Sequence, residues 1–259
     1  MNEIPVVSYE FNSESVSILP IGDLHLGAMN CYLDDLINTV ETFKESKIVI
    51  LGDIINNSTK HSVGNVYEDS LSPSQAIKLF RDKFLMPYRD RILCFILGNH
   101  ENRSLKDVDD STLENICHLL DIPFSKDVMV LDISVKGKTG IGKKRRTNYS
   151  IALAHGFTGG RFIEKSARQA RYFQSFIEGI DCYISAHTHT PTVIPTAIWH
   201  YDPHNKKVIK TIKQHVIISS WAEDRYALQK AFPPSPVVAT QIILHAGKKK
   251  NIEIREMSK

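Results

Sequence analysis

Short apolar runs that end at a glycine followed by Asp or Asn recur in the N-terminal half, and they constrain the fold more than any other feature. Residues 16–21, 48–51 and 92–97 are short enough for buried strands, and each leads into Gly-Asp or Gly-Asn. Segments with apolar residues at helical spacing lie between and after them. This alternation of strand and helix favours an α/β fold in which strand ends share one edge of a sheet.

Four segments are predicted as helices from the spacing of their apolar residues: 32–45, 73–86, 111–120 and 161–178. The C-terminal part shows alternating strands separated by turns: 192–201, 208–220, 237–244 and 252–254. Residues 1–14 are expected to be a polar lead-in. We predict a single domain, residues 1–259, with a motif-bearing core at about 15–191 and a C-terminal β-rich completion at 192–256.

The composition is that of an ordinary globular protein, with 42% hydrophobic and 24% charged residues. The net charge of +3 does not by itself demand a polyanionic partner, so a nucleic-acid partner must rest on local patches. The N-terminus lacks a signal-peptide pattern, and no apolar run approaches the ~20 residues that cross a bilayer. Cys94 and Cys182 lie in strand patterns, as reduced core thiols do. We therefore expect a cytoplasmic protein without membrane contact.

The residues that follow the predicted strands are of the types that bind metals in proteins. Five of them follow an apolar run by one to three residues: Asp23, Asp53, Asn99, His155 and His187. His25 and His189 each lie two residues beyond a member of that set, which places both side chains of a pair on one face of an extended turn. Any one of these turns could be only a turn or a cap. Their recurrence predicts a shared site for borderline dications such as Mn²⁺, Fe²⁺ or Zn²⁺.

The order of these motifs resembles the calcineurin-like metallophosphoesterase superfamily: Gly22-Asp23-Leu24-His25, Gly52-Asp53, Gly98-Asn99-His100-Glu101, His155-Gly156 and His187-Thr188-His189. The resemblance covers residues 21–191. It implies a four-layer α/β sandwich of two mixed β-sheets flanked by helices, with two divalent metal ions at the strand ends.

The resemblance also implies a role for each motif residue. Asp23, His25 and His189 would hold the first metal, Asn99, His155 and His187 the second, and Asp53 would bridge the two. His100 would face the leaving-group oxygen as an acid. Mn²⁺ is the expected metal, with Fe²⁺ or Zn²⁺ as alternatives. The implied reaction is phosphoester hydrolysis by direct attack of a hydroxide that bridges the metals.

Departures from the family pattern narrow the substrate. Protein-serine/threonine phosphatases continue the second motif to an arginine, whereas residues 54–57 here are Ile-Ile-Asn-Asn. The motif style resembles the phosphodiesterase and nuclease branches, including phage-like members, so we expect a phosphodiester of nucleic acid or a nucleotide as substrate. A phosphomonoesterase and a non-catalytic scaffold on the same fold are the alternatives. Ala186 replaces a usual glycine, and Glu101 has no assigned role.

Other cations are candidates for substrate binding. The segment 136–146 contains six Lys or Arg in eleven residues and could contact the phosphates of DNA or RNA, or be a solvated hairpin tip. Arg161 and Arg103 are candidate phosphate-binding residues, although each could instead pair with a neighbouring element. Trp199 and Tyr201 are expected in the sandwich core or rim, not in a base-stacking platform. The oligomeric state is left open.

Overall fold

The computed structural model describes most of the chain: residues 3–58, 69–108, 111–137, 145–158, 160, 162–223, 231 and 233–258, without the side chains of 104–108 and 145. Most of the basic segment 136–146 and the residue Arg161 therefore lie outside the described residues.

Two six-stranded mixed sheets form the centre of the fold. Sheet A consists, in spatial order, of Val6–Phe11 (β1), Val128–Gly137 (β7), Arg145–Ala154 (β8), Cys182–Ser185 (β9), Lys207–Ile217 (β11) and Thr192–Asp202 (β10). Sheet B consists of Ile252–Ser258 (β14), Val238–His245 (β13), Ser15–Ile21 (β2), Lys47–Ile50 (β4), Ile92–Ile96 (β5) and Phe124–Ser125 (β6). A small additional sheet pairs Asn30–Cys31 (β3) with Ala222–Glu223 (β12).

Helices cover the outer faces of both sheets. Within the described residues they are Leu33–Thr42 (α1), Pro73–Phe80 (α2), Met86–Tyr88 (α3), Asn99–Val108 (α4), Thr112–Leu119 (α5) and Ile163–Phe176 (α6). A π-helical stretch, Arg81–Leu85, joins α2 to α3. Residues of α1, α2 and α5 pack on sheet B, the two sheets pack on each other, and α6 packs on sheet A. The predicted four-layer sandwich of two mixed sheets is confirmed.

The apolar runs of sheet B are buried because both faces of each strand are covered. In β4, Ile48 and Ile50 belong to the cluster beneath the helices, whereas Val49 and the following Leu51 belong to the cluster between the sheets. Full burial of one such side chain contributes about 1.5–3 kcal/mol. The continuous apolar pattern, without polar alternation, is thus the signature of a strand buried on both sides.

The strands that matter for the site run in parallel and end at one edge. In sheet B, β2, β4 and β5 are parallel neighbours, and in sheet A β8 and β9 are. The turns after β4 and β5 approach so closely that a Cβ on Gly52 would lie 2.2 Å from Gly98 N, and one on Gly98 would lie 2.1 Å from Asp53 N. Only glycine permits this backbone contact.

Two elements differ from the expectation. Residues 6–11 form β1, which pairs in parallel with β7, instead of a polar lead-in. Asn99–Val108 forms α4, a strongly polar helix that its sequence pattern does not indicate. Three of the four predicted helices are present in shorter form, and the one predicted at 73–86 is divided among α2, the π-helical stretch and α3. None of the helices in the described part of the chain has the length and hydropathy of a transmembrane segment.

Candidate metal centre

The predicted ligands lie where the two sheets meet. Asp23, Asp53 and Asn99 follow strands of sheet B, and His155 and His187 follow strands of sheet A. Residues with left-handed backbone are concentrated here, with these φ angles: Asp23 49°, His25 50°, Asp53 50°, His187 73° and His189 57°. Such a conformation costs on the order of 1–3 kcal/mol in a residue other than glycine. It turns the chain sharply at the strand end, and this turn directs the side chains into the cleft.

The first cluster contains Asp23, His25 and His189, all of them buried. The Nε2 atoms of His25 and His189 lie 3.2 Å apart. Asp23 Oδ1 lies 3.4 Å from His189 Nε2 and 4.0 Å from His25 Nε2. The other carboxylate oxygen of Asp23 accepts a hydrogen bond of 2.8 Å from the backbone N–H of His187. One oxygen of Asp23 thus ties sheet B to sheet A, and the other faces the two imidazoles.

The second cluster centres on His155. Its Nε2 lies 3.0 Å from Asn99 Oδ1, 3.2 Å from His187 Nδ1 and 3.2 Å from Asp53 Oδ2. Its Nδ1 pairs with the carbonyl oxygen of Leu51 at 2.6 Å. A carbonyl partner on Nδ1 leaves the Nε2 lone pair for a cation, as is usual for ligating histidines.

The donor set fits two dications. Asp23 Oδ1 is fully buried and has no hydrogen-bond donor among the described residues. A buried carboxylate oxygen that faces only imidazole nitrogens is costly unless a cation lies between them. Asp53 is within reach of both clusters, since it groups with His25 as well as with His155 and His187. The structure brings all seven predicted ligands together; that they bind metal stays a prediction.

The carboxylates of the cluster are ionised. Burial alone would raise the pKa of Asp23, but His189 and His155 lower it to about 2. Burial opposes ionisation of Asp53 as well, yet the nearby His155 and His100 hold the pKa of Asp53 well below its usual range. Ionised carboxylates are the form that binds a dication.

The imidazoles divide into neutral and charged groups. Burial, followed by His155, lowers the pKa of His187 to about 4, and burial with His100 holds the pKa of His25 well below its usual range. His155 differs: burial would lower its pKa, but the charge of Asp53 raises it to about 10. The negative charge of Asp53 thus favours a cation at this position.

His100 lies at the edge of both clusters. Its Nδ1 pairs with the carbonyl oxygen of Asn56, and its Nε2 lies 3.7 Å from Asp53 Oδ2. Burial lowers the pKa of His100, and Asp53 opposes that effect. Arg103 reaches the carbonyl oxygens of Asn56 and Asn57 with Nη1, at 3.4 Å and 3.2 Å, and lies 3.3 Å from His100 Nδ1. Arg103 thus lies beside the cluster, on the far side of His100.

Glu101 is a functional candidate that the sequence reasoning did not assign. Its side chain is buried and accepts four backbone N–H groups: Gly98 and Asp53 at 2.9 Å, Ile54 at 2.6 Å and Ile55 at 3.1 Å. Burial and the charge of Asp53 raise the pKa of Glu101 to about 7, whereas the N–H donors favour its ionised form. The carboxylate joins the turn that carries Asp53 to the turn that carries Asn99.

Gln169 of α6 lies behind the second cluster and joins two ligand-bearing turns, as Glu101 does. Its Oε1 accepts the N–H of Phe157 at 3.1 Å, and its Nε2 donates to Ser185 Oγ and to the carbonyl oxygen of Ala186, both at 2.9 Å. The amide is fully buried. It links the turns after β8 and β9, which carry His155 and His187. No sequence pattern indicates this role, because the partners of Gln169 come from distant segments.

Two adjacent clusters of Asp, His and Asn side chains meet at one carboxylate at the strand ends of an α/β sandwich, and they could hold the metal of a metal-dependent hydrolase. The family model for calcineurin-like phosphoesterases matches residues 16–191. The chain belongs to this family, as its motifs predicted, and is a metal-dependent phosphoester hydrolase.

Similar solved structures have low sequence identity to this chain. One is YfcE, a phosphoesterase from E. coli, with 13% identity, a TM-score of 0.44 and coverage of 94% of this chain and 99% of that one. Another is Vps29 from Chaetomium thermophilum, with 12% identity, a TM-score of 0.38 and coverage of 94% and 96%. No curated protein matches the chain.

Proposed function

We propose that the protein is a phosphodiesterase that acts on nucleic acid or nucleotides and transfers the phosphoryl group directly to water. The observation that carries this proposal is the position of Asp53 between the two clusters: its carboxylate groups with His155 and His187 on one side and with His25 on the other. This position supports a role for Asp53 as a ligand shared by two cations. Direct hydrolysis between two cations requires no nucleophile from the protein.

The residues divide between the two metal positions as the clusters do. Asp23, His25 and His189 would hold one ion, Asn99, His155 and His187 the other, and Asp53 would contact both. Two bound dications supply charge for binding the phosphate and lower the pKa of water toward neutrality. Mn²⁺ is proposed, because carboxylate, amide and imidazole ligands without thiolate suit it, and Fe²⁺ or Zn²⁺ are the alternatives.

The chain itself orients the acid. Asn56 holds His100 through Nδ1, so that Nε2 points toward Asp53 and the cleft. Asp53 Oδ1 accepts the backbone N–H of His100 at 2.8 Å, which keeps the two side chains in register. We assign His100 the donation of a proton to the departing oxygen. Acid catalysis of this kind contributes typically 10²–10⁴-fold.

Charge balance favours a diester over a monoester. Two dications and a protonated His100 carry five positive charges, and the ionised carboxylates of Asp23, Asp53 and Glu101 carry three negative charges, which leaves about two positive charges (5 − 3 = 2). The attacking hydroxide and a phosphodiester carry one negative charge each, which neutralises that excess. A monoester dianion would bring one negative charge too many, and Arg103, the described guanidinium beside His100, donates to backbone carbonyl oxygens.

The proposal is tested by turnover of bis(p-nitrophenyl) phosphate against p-nitrophenyl phosphate, with Mn²⁺ and after chelation. Faster, Mn²⁺-dependent turnover of the diester is expected. Faster turnover of the monoester would favour the phosphomonoesterase alternative. No turnover of either compound, together with no bound metal, would identify a non-catalytic scaffold.

A second experiment tests the role of His100. His100→Ala should lower kcat by about 10²–10⁴-fold while both metals remain bound, as measured by metal analysis. The matched control is His118→Ala, an exposed histidine of α5, which should leave both properties unchanged. Loss of metal in the His100 variant would mean that His100 is a ligand and not the acid.

A further inference from the structure

The long hairpin of sheet A extends far beyond the sandwich. Strand β9 pairs with β11 only from Gln214 to Ile217. Beyond that point β10 and β11 continue as a two-stranded ribbon, which we name the arm: residues 196–213. Seven residues of β10 in the arm span about 23 Å at about 3.3 Å per residue. A two-stranded ribbon is marginally stable alone, so packing of a partner on its exposed face would stabilise it.

The arm exposes aromatic and apolar side chains on one face. Trp199 lies opposite Lys210 and Tyr201 opposite Val208 in the antiparallel register, so these four side chains share a face with Ile212. Trp199 is 73% exposed and Tyr201 58%. We expected both in the sandwich core or rim; they lie beyond the sandwich instead, because β10 and β11 continue past the point where β9 ends.

The arm is also basic. Its eighteen residues contain four lysines and one aspartate, a net charge of +3 (4 − 1). Asp202 is engaged within the turn, where it accepts hydrogen bonds from His204 and Asn205. Lys213 pairs with Asp181 at the base of the arm. Within the described part of the chain, the three remaining lysines have no carboxylate in ion-pair distance: Lys206, Lys207 and Lys210.

More cations lie at the same end of the molecule. Gly137 and Arg145 form the end of the β7–β8 pair most distant from Ala154 and hence from His155, and the neighbouring pair there is Lys136 with Arg146. The turn between β13 and β14 contains the exposed lysines 248–250 and is held to β8 by hydrogen bonds between Thr147 and Gly247. This end is about 30 Å from the metal centre, at about 3.3 Å per strand residue.

We propose that the arm binds single-stranded nucleic acid, with bases stacked on Trp199 and Tyr201 and a phosphate on Lys210, which lies on the same face. Two aromatic rings two residues apart on an exposed sheet face, flanked by cations, suit unpaired bases, which stack irrespective of sequence. Lysine is depleted at protein–protein interfaces, which makes a protein partner a poorer fit to the three unpaired lysines. The proposal rests on the proposed action on nucleic acid and adds a second, non-catalytic contact remote from the metals.

The test measures binding without catalysis. The probe is an oligothymidylate of about 30 nucleotides, longer than the ~4–16 nucleotides of typical single-strand sites, with fluorescence anisotropy in EDTA across a range of salt concentrations. Trp199→Ala with Tyr201→Ala should weaken binding by at least about fivefold, the lower bound for one stacked base. Lys210→Gln should reduce the slope of log K against log salt by about 0.7, the value for one phosphate contact with a single strand.

Controls separate this proposal from the proposed function. Turnover of bis(p-nitrophenyl) phosphate should be unchanged in the Trp199/Tyr201 variant and in the Lys210 variant, because the arm is remote from the metal centre. Lys78→Gln with Lys83→Gln, exposed lysines near α2 on the other sheet, should leave the salt slope unchanged. If the wild-type protein did not hydrolyse the diester at all, the proposed function would be refuted, while the binding result would remain valid.

Three results would overturn the role of the arm. The first is wild-type affinity for the oligothymidylate in the Trp199/Tyr201 double variant. The second is tighter binding of a duplex of the same length, since paired bases cannot stack on the arm. The third is a change from dimer to monomer in that variant, measured by light scattering, with unchanged affinity for the oligonucleotide. That outcome would show that the arm is an interface between two copies of this chain.

Discussion

Replacing Glu101 by glutamine isolates the contribution of its carboxylate to the metal centre. The four N–H groups that it accepts belong to the turns of Asp53 and Asn99. A glutamine amide offers one oxygen, so two of these buried N–H groups would lose their acceptor and face an NH₂ group instead. At about 1–3 kcal/mol for each unsatisfied donor, the free energy of unfolding should fall by about 2–6 kcal/mol.

The same substitution should displace Asp53 from between the two clusters. Loss of a residue that orients a metal ligand typically costs 10–100-fold in metal affinity or activity. We therefore expect Glu101→Gln to bind Mn²⁺ about 10–100-fold more weakly, measured by calorimetric titration, and to lose diester turnover in proportion. Unfolding by urea in EDTA measures the stability separately from the metal.

The matched control is Glu114→Gln in α5. Glu114 pairs with Lys126 at 2.9 Å and is partly exposed, so its loss should cost at most about 1 kcal/mol and leave metal binding unchanged. The reasoning would be refuted by a Glu101→Gln protein that binds Mn²⁺ and turns over diester as the wild type does.

Three further predictions concern strain, orientation and metal. In EDTA, the free energy of unfolding of His189→Gly should exceed that of His189→Ala by about 1 kcal/mol, because φ is 57° at residue 189. At His155, where φ is not positive, the alanine variant should be the more stable of the two. If alanine were the more stable at both positions, the backbone at residue 189 would not be strained. Gln169→Leu should weaken metal binding by about 10–100-fold, and the control Gln174→Leu on the same helix should not; equal losses would point to a general effect on α6. Removal of metal by EDTA should lower Tm in a thermal scan, since ions at 100-fold their Kd contribute about 2.7 kcal/mol; an unchanged Tm would mean that the folded protein binds none.

The positions of the strands and of the predicted ligands followed from local pattern. Ile48 to Leu51 is apolar without alternation because both faces are covered, and Asp53 follows two residues later. A strand that ends at the metal edge must turn sharply there, and a Gly-Asp exit makes that turn. The ligand turns could therefore be recognised one by one and expected on one edge.

Features that depend on distant packing could not be read in this way. Glu101 and Gln169 bind mainly main-chain N–H and C=O groups. Every residue type has these groups, so the sequence does not show which segments the two side chains will contact. Residues 6–11 have one face exposed and a short length, so β1 resembles an extended polar segment. Trp199 alternates as a core residue does, and only the end of the neighbouring strand β9 decides that it is exposed.

The hydrogen bond from the His187 N–H to Asp23 crosses 164 residues of chain and joins the two sheets at the metal centre. During synthesis Asp23, His25, Asp53 and Asn99 leave the ribosome long before His187 and His189. Neither cluster is complete at that stage, because each takes at least one histidine from sheet A. Completion of the two predicted metal positions is consequently a late event of biogenesis, because it requires the two sheets to dock.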